Sequence, residues 1–133
     1  MILLDTSFLI AYHNERDQNH TRACALLAEI KKGNYGEIYI TDYIFSECAT
    51  VLAVRIKNKE ESIKHSESIK MIPMLNTDEI TFEESWEYFK SQNRLLLSFT
   101  DCTMLTLMKK NKISHLATFD TDFDKIEGIM LIN

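Results

Sequence analysis

The chain has 133 residues, 45% hydrophobic and 26% charged, with three glycines and one proline. This suits one globular domain over residues 1–133 with its own core, and it excludes a low-complexity or linker-rich chain. A net charge of -5, from 15 basic and 20 acidic residues, argues against a nucleic acid held by surplus Lys and Arg alone. Two bound divalent ions would bring the formal charge to about -1 and weaken that objection.

Ile2-Leu3-Leu4 reads as a buried strand ended by Asp5. The start has no basic segment and no small-residue cleavage site, so no signal peptide is expected, and no stretch approaches the ~20 apolar residues of a membrane span. Thr6 and Ser7 offer capping hydroxyls to a helix through Tyr12. Polar Asn14 to Asn19 forms a turn. Thr21 to Lys32 is a second helix with Cys24, Leu27, Ala28 and Ile30 near one face, stopped by Gly33 and Gly36.

Glu37 to Ile40 is a second strand, and Thr41 caps a helix from about Asp42 to Lys57. Another helix covers Lys59 to Met71. Pro73-Met74-Leu75 suits an edge strand, where proline is tolerated. Thr81 caps a helix through Trp86 and Phe89, while Leu95-Leu96-Leu97 has no assignment. A helix from Thr100 or Asp101 reaches Lys110, and His115–Thr118 and Ile129–Ile132 are the last strands. Alternating strands and helices predict an α/β fold with a parallel sheet covered on both faces. The pattern does not give the strand order.

Cys24, Cys48 and Cys102 form no CxxC pair and no zinc-spaced cluster, and read as reduced core thiols of a cytoplasmic protein. His13, His20, His65 and His115 contain no i, i+4 pair and read as surface or structural residues. The chain contains no GxxxxGK[ST], GxGxxG or GxSxG motif, which leaves ATPase, dinucleotide and serine-hydrolase readings without support.

Carboxylates carry the chemistry. Asp5 closes the first strand and Asp120 the fourth, and ligands of parallel sheets bind beyond the carboxyl ends of strands. Glu47 lies between Val51 and Val54 on a helical wheel, inside the apolar arc, and is expected to face the protein. Asp101 sits on the stripe of Met104, Leu105 and Met108. Each has a plainer explanation: a strand-end turn for Asp5, a helix cap for Asp101, a solvated turn for Asp120-Thr121-Asp122, an ion pair with Arg55 or a Lys elsewhere for Glu47. Converging carboxylates suit Mg²⁺, which keeps water and prefers oxygen, and such an ion can activate water against a phosphodiester.

In this order these segments resemble the PIN-domain family, especially its small VapC-like ribonuclease toxins. Ile2-Leu3-Leu4-Asp5-Thr6-Ser7 resembles the family's first strand and acidic end. Thr41 through Glu47 resembles the helix with its acidic Glu, Ser98-Phe99-Thr100-Asp101-Cys102 its third acidic position, and Ala117-Thr118-Phe119-Asp120-Thr121-Asp122-Phe123 its fourth.

The resemblance implies a PIN-like fold with sheet order 3-2-1-4-5 and flanking helices. It implies Mg²⁺ or Mn²⁺ and hydrolysis of single-stranded or loop RNA. Asp5, Glu47, Asp101 and Asp120 carry over as catalytic metal ligands or as residues orienting metal-bound water; Asp122 matches a further acidic position. Thr6, Ser7 and Thr100 are expected to support the carboxylates by hydrogen bonds. A homodimer and an antitoxin protein that blocks the acidic groove are implied as partners. Lys57, Lys59, Lys64 and Lys70, and Lys109, Lys110 and Lys112, read as solvated faces before substrate surface.

Three other readings remain. A PIN-fold binding or regulatory module would keep the carboxylates without activity. A phosphoacceptor receiver domain would need an Asp after the middle strand, where Leu75-Asn76-Thr77-Asp78 is a poor match. An aspartate-nucleophile phosphatase would need Asp120-Thr121-Asp122 near the first strand.

Overall fold

The computed structural model describes residues 1–92 and 97–133. Five short parallel strands, β1 (Ile2–Leu4), β2 (Ile38–Thr41), β3 (Met74–Leu75), β4 (His115–Ala117) and β5 (Met130–Ile132), form one sheet in the order β3-β2-β1-β4-β5. This is the α/β architecture and the 3-2-1-4-5 order that the resemblance implied. β1 is central and buried along its length, as expected of a strand covered on both faces. β3, with Pro73 just before it, lies at one edge.

Among the described residues six α-helices flank the sheet: α1 (Thr6–His13), α2 (His20–Ile30), α3 (Asp42–Arg55), α4 (Lys59–Lys70), α5 (Glu79–Ser91) and α6 (Phe99–Lys110). Several caps differ from the expected ones. Asp5, not Thr6 or Ser7, caps α1 and accepts from the Ser7 amide. Asp78, not Thr81, caps α5 and accepts from the Thr81 amide. Ser98 caps α6. In each case a residue with extended backbone outside the helix takes the role, because an oxygen there can turn back onto an orphan N–H. Thr41 does cap α3, accepting from Ile44 N at 3.1 Å.

α2 ends at Ile30, and Gly33 N donates to its carbonyl. Gly36 has φ +77, and a Cβ there would meet Met1 N at 2.9 Å, so this turn into β2 needs glycine for both conformation and space. Asp42 accepts from both the amide and the hydroxyl of Thr77, at 3.0 and 2.8 Å, which ties the start of α3 to the segment after β3. Of the unassigned apolar stretch, Leu95 and Leu96 lie outside the described residues. Leu97 is buried, and its backbone N–H and carbonyl are bracketed by the Gln92 side chain.

The core joins β1, Ile40, Leu116 and Ala117 to Phe8, Ile44, Cys48, Leu52, Cys102 and Met104. All three cysteines are free thiols; Cys48 and Cys102 are buried and Cys24 is half-buried. Burial raises the Cys48 thiol to about 12 and the Cys102 thiol to about 11, so neither is a thiolate near neutral pH. Among the described residues no helix is long and apolar enough to cross a membrane.

Candidate active site

β1 and β4 are neighbours, with Leu4 opposite Ala117. Their carboxyl ends therefore open onto one crevice. Asp5 follows β1 directly, and Asp120 lies three residues beyond β4. Glu47 comes to the crevice from α3 and Asp101 from the first turn of α6. Asp5, Glu47, Asp101, Asp120 and Asp122 all line a single cavity of about 510 Å³.

Asp5 is the most enclosed, only 5% exposed. Its Oδ2 accepts from Ser7 N at 3.2 Å, Ser7 Oγ at 2.7 Å and Thr118 Oγ1 at 2.8 Å. Burial raises its carboxyl above the usual range, although the bonds from Ser7 and Thr118 pull it down. Oδ1 takes part in none of these three bonds. The two hydroxyls are themselves held in place: Ser7 Oγ accepts from Phe119 N at 2.9 Å, and Thr118 Oγ1 from Asp120 N at 3.0 Å. One network thus links the ends of β1 and β4.

Asp101 is half-buried and has two tasks. Its Oδ2 accepts from Ser98 N at 2.7 Å, while its own amide donates to Ser98 Oγ at 3.1 Å, a reciprocal capping box. The capping explanation for Asp101 is therefore correct as geometry. Yet its carboxyl is raised to about 6, by burial first and then by the charges of Asp5 and Asp120, against the lowering bonds from Ser98. The capping bonds alone would lower the carboxyl; burial outweighs them.

Glu47 corrects the expectation built on it. It is exposed, not turned into the core. The buried residues of α3 are Ile44, Cys48 and Leu52, while Val54 is 75% exposed. The apolar arc that contained Glu47 was therefore not a buried face. Glu47, Val51 and Arg55 instead form a helix stripe along the cavity. Glu47 Oε2 accepts from Thr6 Oγ1 at 2.7 Å. Arg55 faces Asp17 at 3.9 Å and, among the described residues, is the one Lys or Arg that lines the cavity.

Asp120 and Asp122 are both exposed. Asp120 caps a 3-10 helix over Thr121–Lys125 and accepts from Asp122 N at 2.9 Å, so the turn expected for Asp120-Thr121-Asp122 exists at the cavity rim. Of the expected supporting hydroxyls, Thr6 and Ser7 do bond carboxylates. Thr100 does not: its described contact is its carbonyl, accepting from Thr103 Oγ1. Ser98 and Thr118 take that place. Thr118 could have been found as a hydroxyl two residues before Asp120, and Ser98 as the S-x-x-D capping signature with Asp101. Asp17, Gln18 and Asn19 also line the cavity, brought there by the fold with no local signal.

Among the described residues, no three His, Cys, Asp or Glu side chains are gathered so as to hold a metal unaided. The donors are nonetheless all oxygen, Asp5 has an oxygen outside its hydrogen-bond network, and Asp101 is raised by burial first and then by its acidic neighbours. That set fits a hard cation that keeps several waters, such as Mg²⁺ or Mn²⁺, rather than a fully caged ion. None of the seven lysines considered above lines the cavity, and Lys110 is paired with Asp78 and Glu84.

Comparison with known proteins agrees with this architecture. The chain is 26% identical over 126 residues to the 23S rRNA-specific endonuclease VapC20 of Mycobacterium tuberculosis (strain ATCC 25618 / H37Rv), covering 92% of each. It is 20% identical over 122 residues to a VapC ribonuclease of Archaeoglobus fulgidus, covering 91% of this chain and 78% of that one. The crystal structure of Mycobacterium tuberculosis VapC20, a sarcin-ricin loop cleaving toxin, superposes with a TM-score of 0.86 at 23% identity, over 97% of both chains. A toxin–antitoxin complex from Klebsiella pneumoniae matches with a TM-score of 0.68 at 16% identity over 100% and 97% of the two chains. The PIN domain family model matches residues 2–129, and the chain belongs to the PIN-domain family.

Proposed function

We propose that this protein is a metal-dependent endoribonuclease, the toxin of a toxin–antitoxin pair, acting in the cytoplasm as a single-domain chain that forms a homodimer. The observation that carries the reading is that six carboxylates from five separate parts of the chain line one cavity at the carboxyl ends of β1 and β4. The names of the VapC relatives support RNA over other phosphodiesters. The antitoxin complex among the structural neighbours supports a small protein partner.

In this reading Asp5, Glu47, Asp101 and Asp120 hold Mg²⁺ or Mn²⁺, with Asp122 beside them. When bound, the ion supplies positive charge to the scissile phosphate and lowers the pKa of attacking water. The chain's own residues supply orientation. Ser7 and Thr118 fix Asp5 through Oδ2 and leave Oδ1 for the ligand. Thr6 holds Glu47, Ser98 holds Asp101, and the Asp122 amide holds Asp120. The carboxylates line up the water whose oxygen attacks phosphorus as the P–O bond to the leaving ribose breaks. Arg55 at the cavity wall offers the incoming phosphate a cation.

The test is cleavage of a stem-loop RNA, first one carrying a sarcin-ricin loop, by purified protein with Mg²⁺, Mn²⁺ or EDTA. Cleavage is expected with either ion and lost with chelator. Cutting that EDTA does not slow would overturn the metal mechanism. RNA binding without cutting under every condition would favour the inactive binding module.

A further inference from the structure

α1 ends far from its acidic start, at His13. There His13 meets His65 of α4, with Nδ1 to Nδ1 at 2.9 Å. No spacing rule reveals this pair, since 52 residues separate the two. Both rings are half-buried. Tyr12 packs edge-on against His13. The Nδ1–Nδ1 contact is a hydrogen bond in which one ring donates to the lone pair of the other, and Nε2 of His65 lies 3.9 Å from Glu61 Oε1, beyond hydrogen-bond reach.

We propose that His13 and His65 form a binding site for a divalent transition metal of the zinc, nickel or copper class, tying α1 to α4. Two imidazole nitrogens about 2.0 Å from one ion stand roughly 2.9 Å apart at a right angle and roughly 3.3 Å apart at a tetrahedral angle. The observed 2.9 Å matches the first and is a small ring movement from the second. Nitrogen donors select these metals over Mg²⁺, so this site and the acidic cavity take different ions. Water completes the coordination. His13 is held down to about 4 by burial and by His65, so at neutral pH it is already the neutral ligand and gives up no charge on binding.

The test uses untagged protein, wild type and Asp5→Asn, titrated with Cu²⁺ and followed by electron paramagnetic resonance. One Cu²⁺ per chain showing imidazole nitrogen coupling is expected in both, and carboxylates cannot produce that coupling. His13→Gln and His65→Gln should each weaken binding by more than the roughly 10–100-fold that an outer-shell partner is worth. Unchanged affinity in both variants, or copper without nitrogen coupling, would overturn the site. Should either variant fail to fold, Zn²⁺ titration of the wild type by NMR decides: the His13 and His65 rings should shift together ahead of His20 and His115, and two unmoved rings would equally overturn it.

Discussion

The acidic cavity has two unlike walls. Asp5 and Asp101 form an inner wall, enclosed and raised in pKa, each held by hydroxyl or amide donors. Glu47, Asp120 and Asp122 form an outer wall that is exposed to water. Water screens the outer charges, whereas the inner ones are raised chiefly by desolvation, with repulsion from Asp5 and Asp120 adding at Asp101. The difference separates function from stability. Without a cation the inner wall is where the fold stores electrostatic tension, and it is also where a cation would gain most.

The largest expected effect follows from this. Asp5→Asn should abolish metal-dependent RNA cleavage, yet raise the melting temperature of the metal-free protein, because it removes a buried charge and keeps the shape and much of the hydrogen bonding. RNA cleavage assays and thermal melts in EDTA check both halves. Wild-type cutting by the variant would remove Asp5 from the site. A lower melting temperature in EDTA would mean that Asp5 is a net structural asset and that the inner wall is not strained.

Next comes the support behind Asp5. Thr118→Val keeps the volume but deletes the hydroxyl that donates to Asp5 and accepts from the Asp120 amide. It touches both walls at once, so activity should fall by roughly 10–100-fold, as for partners behind a metal ligand. Rescue in Thr118→Ser would show that the hydroxyl matters and not the methyl group. If Thr118→Val cut RNA at the wild-type rate, the walls would be independent of this network.

The pH dependence of stability separates the walls more gently. Asp101 titrates near pH 6 in the folded state, against roughly 3.9 unfolded. Its protonated form therefore stabilises the fold at low pH, and that contribution is lost as pH rises through 6. His13 acts in the opposite sense. Its folded value of about 4 lies below roughly 6.5 unfolded, so its contribution is lost as pH falls. Comparing wild type with Asp101→Asn isolates the first term. In EDTA, lowering pH from about 7 to about 5 should favour the wild type over the variant by about 1 kcal/mol. Denaturant melts at the two pH values measure it. No difference would mean that the capping bonds from Ser98, rather than burial and repulsion, govern Asp101.

What the sequence disclosed about these walls follows the range of the interactions. Asp5 was legible because a short apolar run ending in a carboxylate is a local pattern, and the β1–β4 pairing turned it into a site residue. Asp101 was legible only as an ambiguity, and the structure keeps both sides of it. Glu47 came from a helical wheel that treated every apolar residue of α3 as buried, which Val54 is not. Amphipathicity says little on a helix whose outer side also carries valine. Thr100 was preferred over Ser98 and Thr118 because hydroxyl direction depends on which residue lies just outside the helix. The His13–His65 contact was out of reach, since spacing rules see only neighbours on one element.

The smallest effect should come from Asp122. Its carboxylate is exposed and accepts none of the described hydrogen bonds; only its amide does work, in donating to Asp120. Asp122→Asn keeps that amide and should change stability within about 0.5 kcal/mol. Activity should fall far less than in Thr118→Val, with any loss appearing as a need for more Mg²⁺ and little change at saturating ion. Titrating cleavage against Mg²⁺ separates these outcomes. A loss as deep as that of Asp5→Asn, persisting at saturating Mg²⁺, would place Asp122 among the ligands and erase the contrast between the walls. A loss confined to low Mg²⁺ would keep Asp122 on the outer wall, drawing cations toward the inner one.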